Sequence, residues 1–154
     1  MDTNPELLKL IEWNATKARI QISTTTMPQF PQRKQIWWAS IGQNIGVEAN
    51  GKNNRFERPV LVICVFNADS LLIAPLTSRV GTHKFLIRFD YLGQGKSINI
   101  FQLRTLSSKR FSRKMTDISD FDFERVLSAI RNHVFTKTET PTSGASSSPL
   151  KEDE

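Results

Sequence analysis

An arginine directly before a proline, Arg58 in ERPVLVI, and a hydroxyl pair followed by an arginine, Pro75-Leu76-Thr77-Ser78-Arg79, are the groups in this chain best suited to work on a phosphate. A guanidinium presents fixed N–H donors in a fork that fits phosphate oxygens, and a neighbouring hydroxyl adds another donor. If the substrate is RNA, its own 2′-hydroxyl can attack the adjacent phosphorus, so the protein need supply neither nucleophile nor metal. It must position the backbone, help move a proton, stabilise charge on the phosphorane and protonate the leaving 5′-oxygen. Pro59 favours extended backbone at Arg58, which sets that side chain at a rim where a long polar loop meets an apolar strand. Each segment alone also has an ordinary reading: a solvated arginine before a strand, and a Ser/Thr turn.

Other chemistries are poorly supplied. The single cysteine, Cys64, lies within VLVICVF and reads as a buried structural thiol in a reducing compartment. His83 and His133 have no Cys or His at ligand spacing, so neither a zinc site nor any other metal or cofactor is expected. No apolar run reaches the roughly 18 residues a membrane span needs, and the N-terminal segment has no basic-then-apolar leader pattern, which points to the cytoplasm. The formal net charge is +6. From Arg33 to Lys114 there are fourteen Lys/Arg against four Asp/Glu, so the body of the chain favours a polyanionic partner.

The elements that must hold these groups follow from periodicity. Residues 4–19 read as an amphipathic helix: Asn4 caps it, Pro5 suits its first position, and Leu7, Leu8, Ile11, Ala15 and Ala18 fall on one face. The Thr/Pro/Gln-rich stretch ISTTTMPQFPQR reads as an extended linker, giving an N-terminal unit of residues 1–32. Strand-like runs then follow at 35–41, 60–66, 71–76, 84–89 and 97–103, separated by Gly, Asn and Asp turns. They predict a compact antiparallel barrel over residues 33–135. Between the first two lies IGQNIGVEANGKNNRFE, a polar loop of a length usually reserved for function or mobility. The helical period returns after Ile118, with Ser119 or Asp120 as cap and Phe123, Val126, Leu127, Ile130 and Val134 as the buried stripe. Residues 136–154 have the composition of a disordered tail.

Taken in order, the chemical segments form a pattern. Gly46-Val47-Glu48, Gly51 and Arg58-Pro59-Val60-Leu61-Val62-Ile63 resemble the G-x-E…G…R-P-V-L-V-I stretch of MazF/PemK toxins. Pro75-Leu76-Thr77-Ser78 is similar to that family's P-x-T segment, and Gln102-Leu103-Arg104-Thr105-Leu106 with Lys109-Arg110-Phe111 to its Q-x-R-T-[IL]…[KS]-R-[LF] stretch. The resemblance spans about residues 33–134. It implies a mainly β fold with helices (α+β): an SH3-like small antiparallel barrel, here with a C-terminal helix and an N-terminal helical extension. It also implies a homodimer that cuts single-stranded RNA at short motifs without metal, leaving 2′,3′-cyclic phosphate and 5′-hydroxyl ends, and a cognate antitoxin protein that neutralises it.

By the same resemblance Arg58 is the main catalytic arginine, Thr77 its paired hydroxyl, and Glu48 a group for proton transfer or positioning. Ser78 offers a second hydroxyl, and Arg79 and Gln102 join the RNA-binding set. Lys52 and Arg55 can contact phosphates or simply solvate the loop; Phe56 can stack on a base or anchor the loop. The chain departs from the pattern in two places. Phe101 stands where many members carry an acid, and Lys52–Glu57 lengthens the link between Gly51 and Arg58. These departures keep two other readings open: a MazF-like nucleic-acid or antitoxin-binding module without cleavage, and a relative that poisons a protein target, which the basic body disfavours. The N-terminal helix is expected to pack on the barrel or on a dimer partner.

Overall fold

The computed structural model describes residues 4–136. The sequence-based tail therefore lies almost wholly outside the described residues. Helix α1 (Pro5–Ile22) starts where its cap dictates, with Asn4 Oδ1 accepting from the Glu6 N–H at 2.9 Å and Pro5 in the first turn. Seven strands follow: β1 (Gln35–Ser40), β2 (Glu57–Asn67), β3 (Ser70–Thr77), β4 (Leu86–Tyr91), β5 (Gln94–Asn99), β6 (Arg104–Ser107) and β7 (Phe111–Asp117). Helix α2 (Asp120–His133) closes the domain, capped by Ser119 Oγ, which accepts from the Asp122 N–H.

All pairings are antiparallel, in the order β4-β5-β3-β2-β1-β7, with β6 also on β3. The first half of β3 pairs with β6 and its end with β5, so the ladder forks there and does not close into a complete barrel. Strand alternation explains why the apolar run of β2 is almost continuous: it is covered on both faces. Leu61 and Ile63 enter a core shared with Ile36, Ala74, Leu76, Phe89, Ile98 and the α2 residues Phe123, Val126, Ala129 and Ile130. Val60 and Val62 enter a second core with Trp37, Ala39, Ile41, Leu71, Ile73, Leu106 and Phe111. Met27 and Phe30 pack against this second core, so the expected linker is docked rather than free.

The structure adds a strand that periodicity did not announce and corrects two expectations. The polar residues of FSRKMTD form an edge strand, β7, because only one neighbour (β1) is needed and its outward positions face solvent. Cys64 is half-buried, not buried, since it lies beyond the covered middle of β2. Most consequentially, the apolar face of α1 does not pack inward. Leu7, Leu8 and Ile11 are exposed, and Trp13 is the helix's one buried residue.

Candidate active site

Strand register brings the two chemical segments together. The β2–β3 ladder ends at the Val60–Pro75 pair, and just beyond it Arg58 reaches Leu76 O, so that Arg58 and Thr77 line one cleft. Arg58 is the second residue of β2, where the long loop meets the strand as expected; it is half-buried, and two carbonyls fix its guanidinium. Nε donates to Asn50 O at 2.7 Å and one terminal nitrogen to Leu76 O at 2.9 Å. Burial pulls its pKa below the ordinary guanidinium value, yet an arginine in a protein stays protonated. With two of five donors used, the rest have no protein partner among the described residues. Thr77 Oγ1 accepts from the Arg79 N–H at 3.2 Å, which leaves its own O–H to donate outward.

Arg58, Thr77, Ser78 and Lys52 line one cleft of about 220 Å³, with Trp38, Asn53, Glu57, Pro59, Leu76 and Lys96. A larger hollow of about 540 Å³ lies between the linker and residues 108–112, but its only charged lining residue is Lys109. The smaller cleft is the one with the means for chemistry. One wall is a chain of contacts: the buried Glu57 carboxylate accepts from Arg113 at 3.2 Å, and that guanidinium sits 4.7 Å over the Trp38 ring. Burial by itself would raise the Glu57 pKa. Hydrogen bonds from Ser112 and Arg113, the Arg113 charge and Asn53 outweigh it, and the carboxyl is held below its ordinary range.

The remaining predicted residues lie elsewhere. Glu48 is exposed in the loop between β1 and β2, where its carboxylate accepts from the Ile45 N–H at 3.1 Å, and it does not line the cleft. Arg55 borders a neighbouring open hollow with Asn53, Asn54, Glu57 and Arg113. Arg79 is exposed just past β3. Phe56 is only 5% exposed and lies 5.5 Å from the Trp13 ring, so it anchors the loop to α1 and presents no face to a base. Gln102 is likewise corrected: its amide accepts from Ala49 N and donates to Val47 O, both at 3.0 Å, stapling the loop rather than reaching for RNA. Phe101 stands edge-on to Phe85, outside the cleft.

Trp38, Glu57 and Lys96 were not foreseen as site residues. Alternation in QIWWAS does put Trp37 and Trp38 on opposite faces, a signal that one of them is not core. Lys96 arrives by the β3–β5 pairing, where its neighbour Ser97 is the cross-strand partner of Thr77 and is fully buried with an unpaired hydroxyl. Among the described residues no group of three His, Cys, Asp or Glu side chains gathers as metal ligands would.

A forked antiparallel sheet with a closing helix thus carries an arginine and a threonine in one basic cleft. The chain belongs to the PemK-like, MazF-like toxins of type II toxin–antitoxin systems, whose family model matches residues 32–134. Solved structures agree in fold. MazF (Form-I) from Deinococcus radiodurans is 19% identical with a TM-score of 0.58, over 69% of this chain and 97% of that one. The MazE–MazF complex (Form-II) from the same organism gives 16% and 0.55, over 71% and 99%. An endoribonuclease in complex with its cognate antitoxin from Mycobacterial species gives 13% and 0.54, again over 71% and 99%. At these identities the likeness is one of fold. Comparison with curated proteins found no match.

Proposed function

We propose that this toxin is an endoribonuclease that cuts single-stranded RNA without metal, and that a cognate antitoxin protein neutralises it. The observation carrying the reading is the convergence of Arg58 and Thr77 on one cleft, each with donors left over after its own hydrogen bonds. In this mechanism the 2′-hydroxyl attacks its neighbouring phosphorus and the 5′-oxygen leaves, giving 2′,3′-cyclic phosphate and 5′-hydroxyl ends. The free guanidinium N–H groups and the Thr77 O–H donate to the phosphorane oxygens, where preorganised donors count most. Lys52 and Lys96 hold flanking phosphates. Family membership supports the toxin role, and the neighbours solved with antitoxins support a protein inhibitor that covers the cleft. A homodimer working in the cytoplasm fits the same reading. No helix among the described residues is long and apolar enough to cross a membrane.

One observation favours a second reading. Among the described residues no uncommitted carboxylate faces the cleft: Glu48 lies outside it, Glu57 is sealed by Arg113, and position 101 is phenylalanine. A binding module without cleavage would look like this. Incubating the purified chain with a long single-stranded RNA in EDTA separates the two. Cyclic-phosphate ends made by wild type and lost in Arg58→Ala support the enzyme. Uncut RNA with retained, salt-sensitive binding assigns the module.

A further inference from the structure

Helix α1 precedes the residues that match the family, and its apolar stripe is unused by the fold. Leu7, Leu8, Ile11 and Ile22 are 51%, 44%, 56% and 78% exposed, and Ala15 and Ala18 are exposed beside them. At roughly 100° per residue all six fall within one arc of about 100°, with Trp13 on the opposite side, docked on Phe56 and Gly42. A continuous apolar stripe on an ordered surface helix marks an interaction surface.

We infer that this stripe pairs with the same helix of a second copy, packed antiparallel. Two features select that occupant and direction. Side-chain volume is graded along the stripe: Leu7, Leu8 and Ile11 fill its first half, while Ala15 and Ala18 leave the second half shallow until Ile22. Parallel pairing would set bulk on bulk and leave the alanines facing a gap. Antiparallel pairing about a two-fold axis beside Ala15 seats Ile11 over Ala18 of the second copy and lets Leu7 meet Ile22. Charge follows the same rule. Glu12 and Arg19 are exposed on one flank of the stripe and make no ion pair within the chain among the described residues. A parallel pair sets this flank against the uncharged opposite flank of the second copy, where Asn14 and Gln21 stand, whereas an antiparallel pair sets like flanks side by side and brings each Glu12 within reach of Arg19 of the other copy, twice. The stripe is remote from the cleft, whose lining includes no α1 residue, so pairing leaves the cleft open and does not rest on the nuclease reading.

Sedimentation velocity of the full chain over a concentration series tests this. Leu7→Glu with Ile11→Glu, both at exposed positions, should halve the limiting mass with an unchanged circular-dichroism spectrum. Glu12→Arg should weaken association, and adding Arg19→Glu should restore it. Direction is read by cross-linking in a Cys64→Ser background. A short bis-maleimide should join Ala15→Cys copies near the axis and leave Leu7→Cys copies, about 22 Å apart along the helices, unjoined. A limiting mass indifferent to the double glutamate variant overturns the pairing, and efficient joining through Leu7→Cys overturns its antiparallel sense.

Discussion

In the proposed mechanism Arg58 acts through geometry as much as charge. Its side chain is held by Asn50 O and Leu76 O, one on each side of the guanidinium, and only a planar fork meets both while keeping donors free. Arg58→Lys is therefore expected to lose cleavage nearly as fully as Arg58→Ala, with single-turnover cleavage as the readout; near-wild-type cutting by the lysine variant would mean that charge alone suffices. Thr77→Ala is expected to lower cleavage tens to hundreds of fold, the scale of one lost oxyanion donor, whereas Thr77→Ser retains most of it. Glu57 gives a stability prediction. Its pKa is depressed in the folded state, so it contributes stability fully present above its ordinary value of 4.5 and lost as pH falls through the lower folded value. Melting temperature should drop across that acid window in wild type, and Glu57→Gln should flatten the drop at a cost of about 1–3 kcal/mol at neutral pH. Arg58 and Thr77 were legible because the first opens and the second closes a recognisable strand motif. Glu57, Trp38 and Lys96 were not, because three separate segments meet at the cleft only through strand register. Phe56 and Gln102 misled for the opposite reason: a polar loop around them suggested exposure, while both are spent holding that loop in place.

The loop between β1 and β2 sets the position of one face of the site, and a few contacts hold it. Asn44 donates to Ile41 O and Ala49 O, Gly51 N–H donates to Gly42 O at 2.7 Å, and Asn50 supplies the carbonyl that grips Arg58. Gly42 joins this loop to α1: its φ is +96°, and a Cβ there would lie 2.3 Å from the Trp13 indole. Gly42→Ala must therefore strain the backbone and push Trp13 off its seat, at about 1–3 kcal/mol. A lower melting temperature with faster amide exchange in both α1 and residues 43–51 is the expected result. Exchange confined to α1 would show that the loop stands without the helix. Periodicity found both helices and the central strands, because a 3.6-residue or two-residue repeat of apolar residues is a local property. It did not reveal β6 and β7, whose short polar sequences become strands only by pairing with β3 and β1. Nor did it orient α1. A stripe announces a helix, but which face docks was decided by a single indole outside the stripe, fitted between Phe56 and Arg110.

For the molecule as a whole, the proposed function makes the excess of cations over its middle segments the means of holding RNA. Each phosphate neutralised on a single strand contributes about 0.7 to the slope of log affinity against log salt. Arg58, Lys52 and Lys96 line the cleft, and in the proposed mechanism Arg58 takes the reacting phosphate and the two lysines its neighbours. The experiment uses the Arg58→Ala chain, so that bound RNA stays intact. In that background Lys52→Ala and Lys96→Ala should each weaken binding for RNAs of any sequence and reduce the slope by about 0.7. Arg125 is the internal control: it is held at 2.9 Å by Asp122 on α2, away from the cleft, so Arg125→Ala should leave the slope unchanged. A slope that responds to Arg125 and ignores both lysines would move the RNA path off the cleft and onto the α2 side of the fold. In that case Arg58 and Thr77 would face no scissile phosphate, however well their donors are arranged.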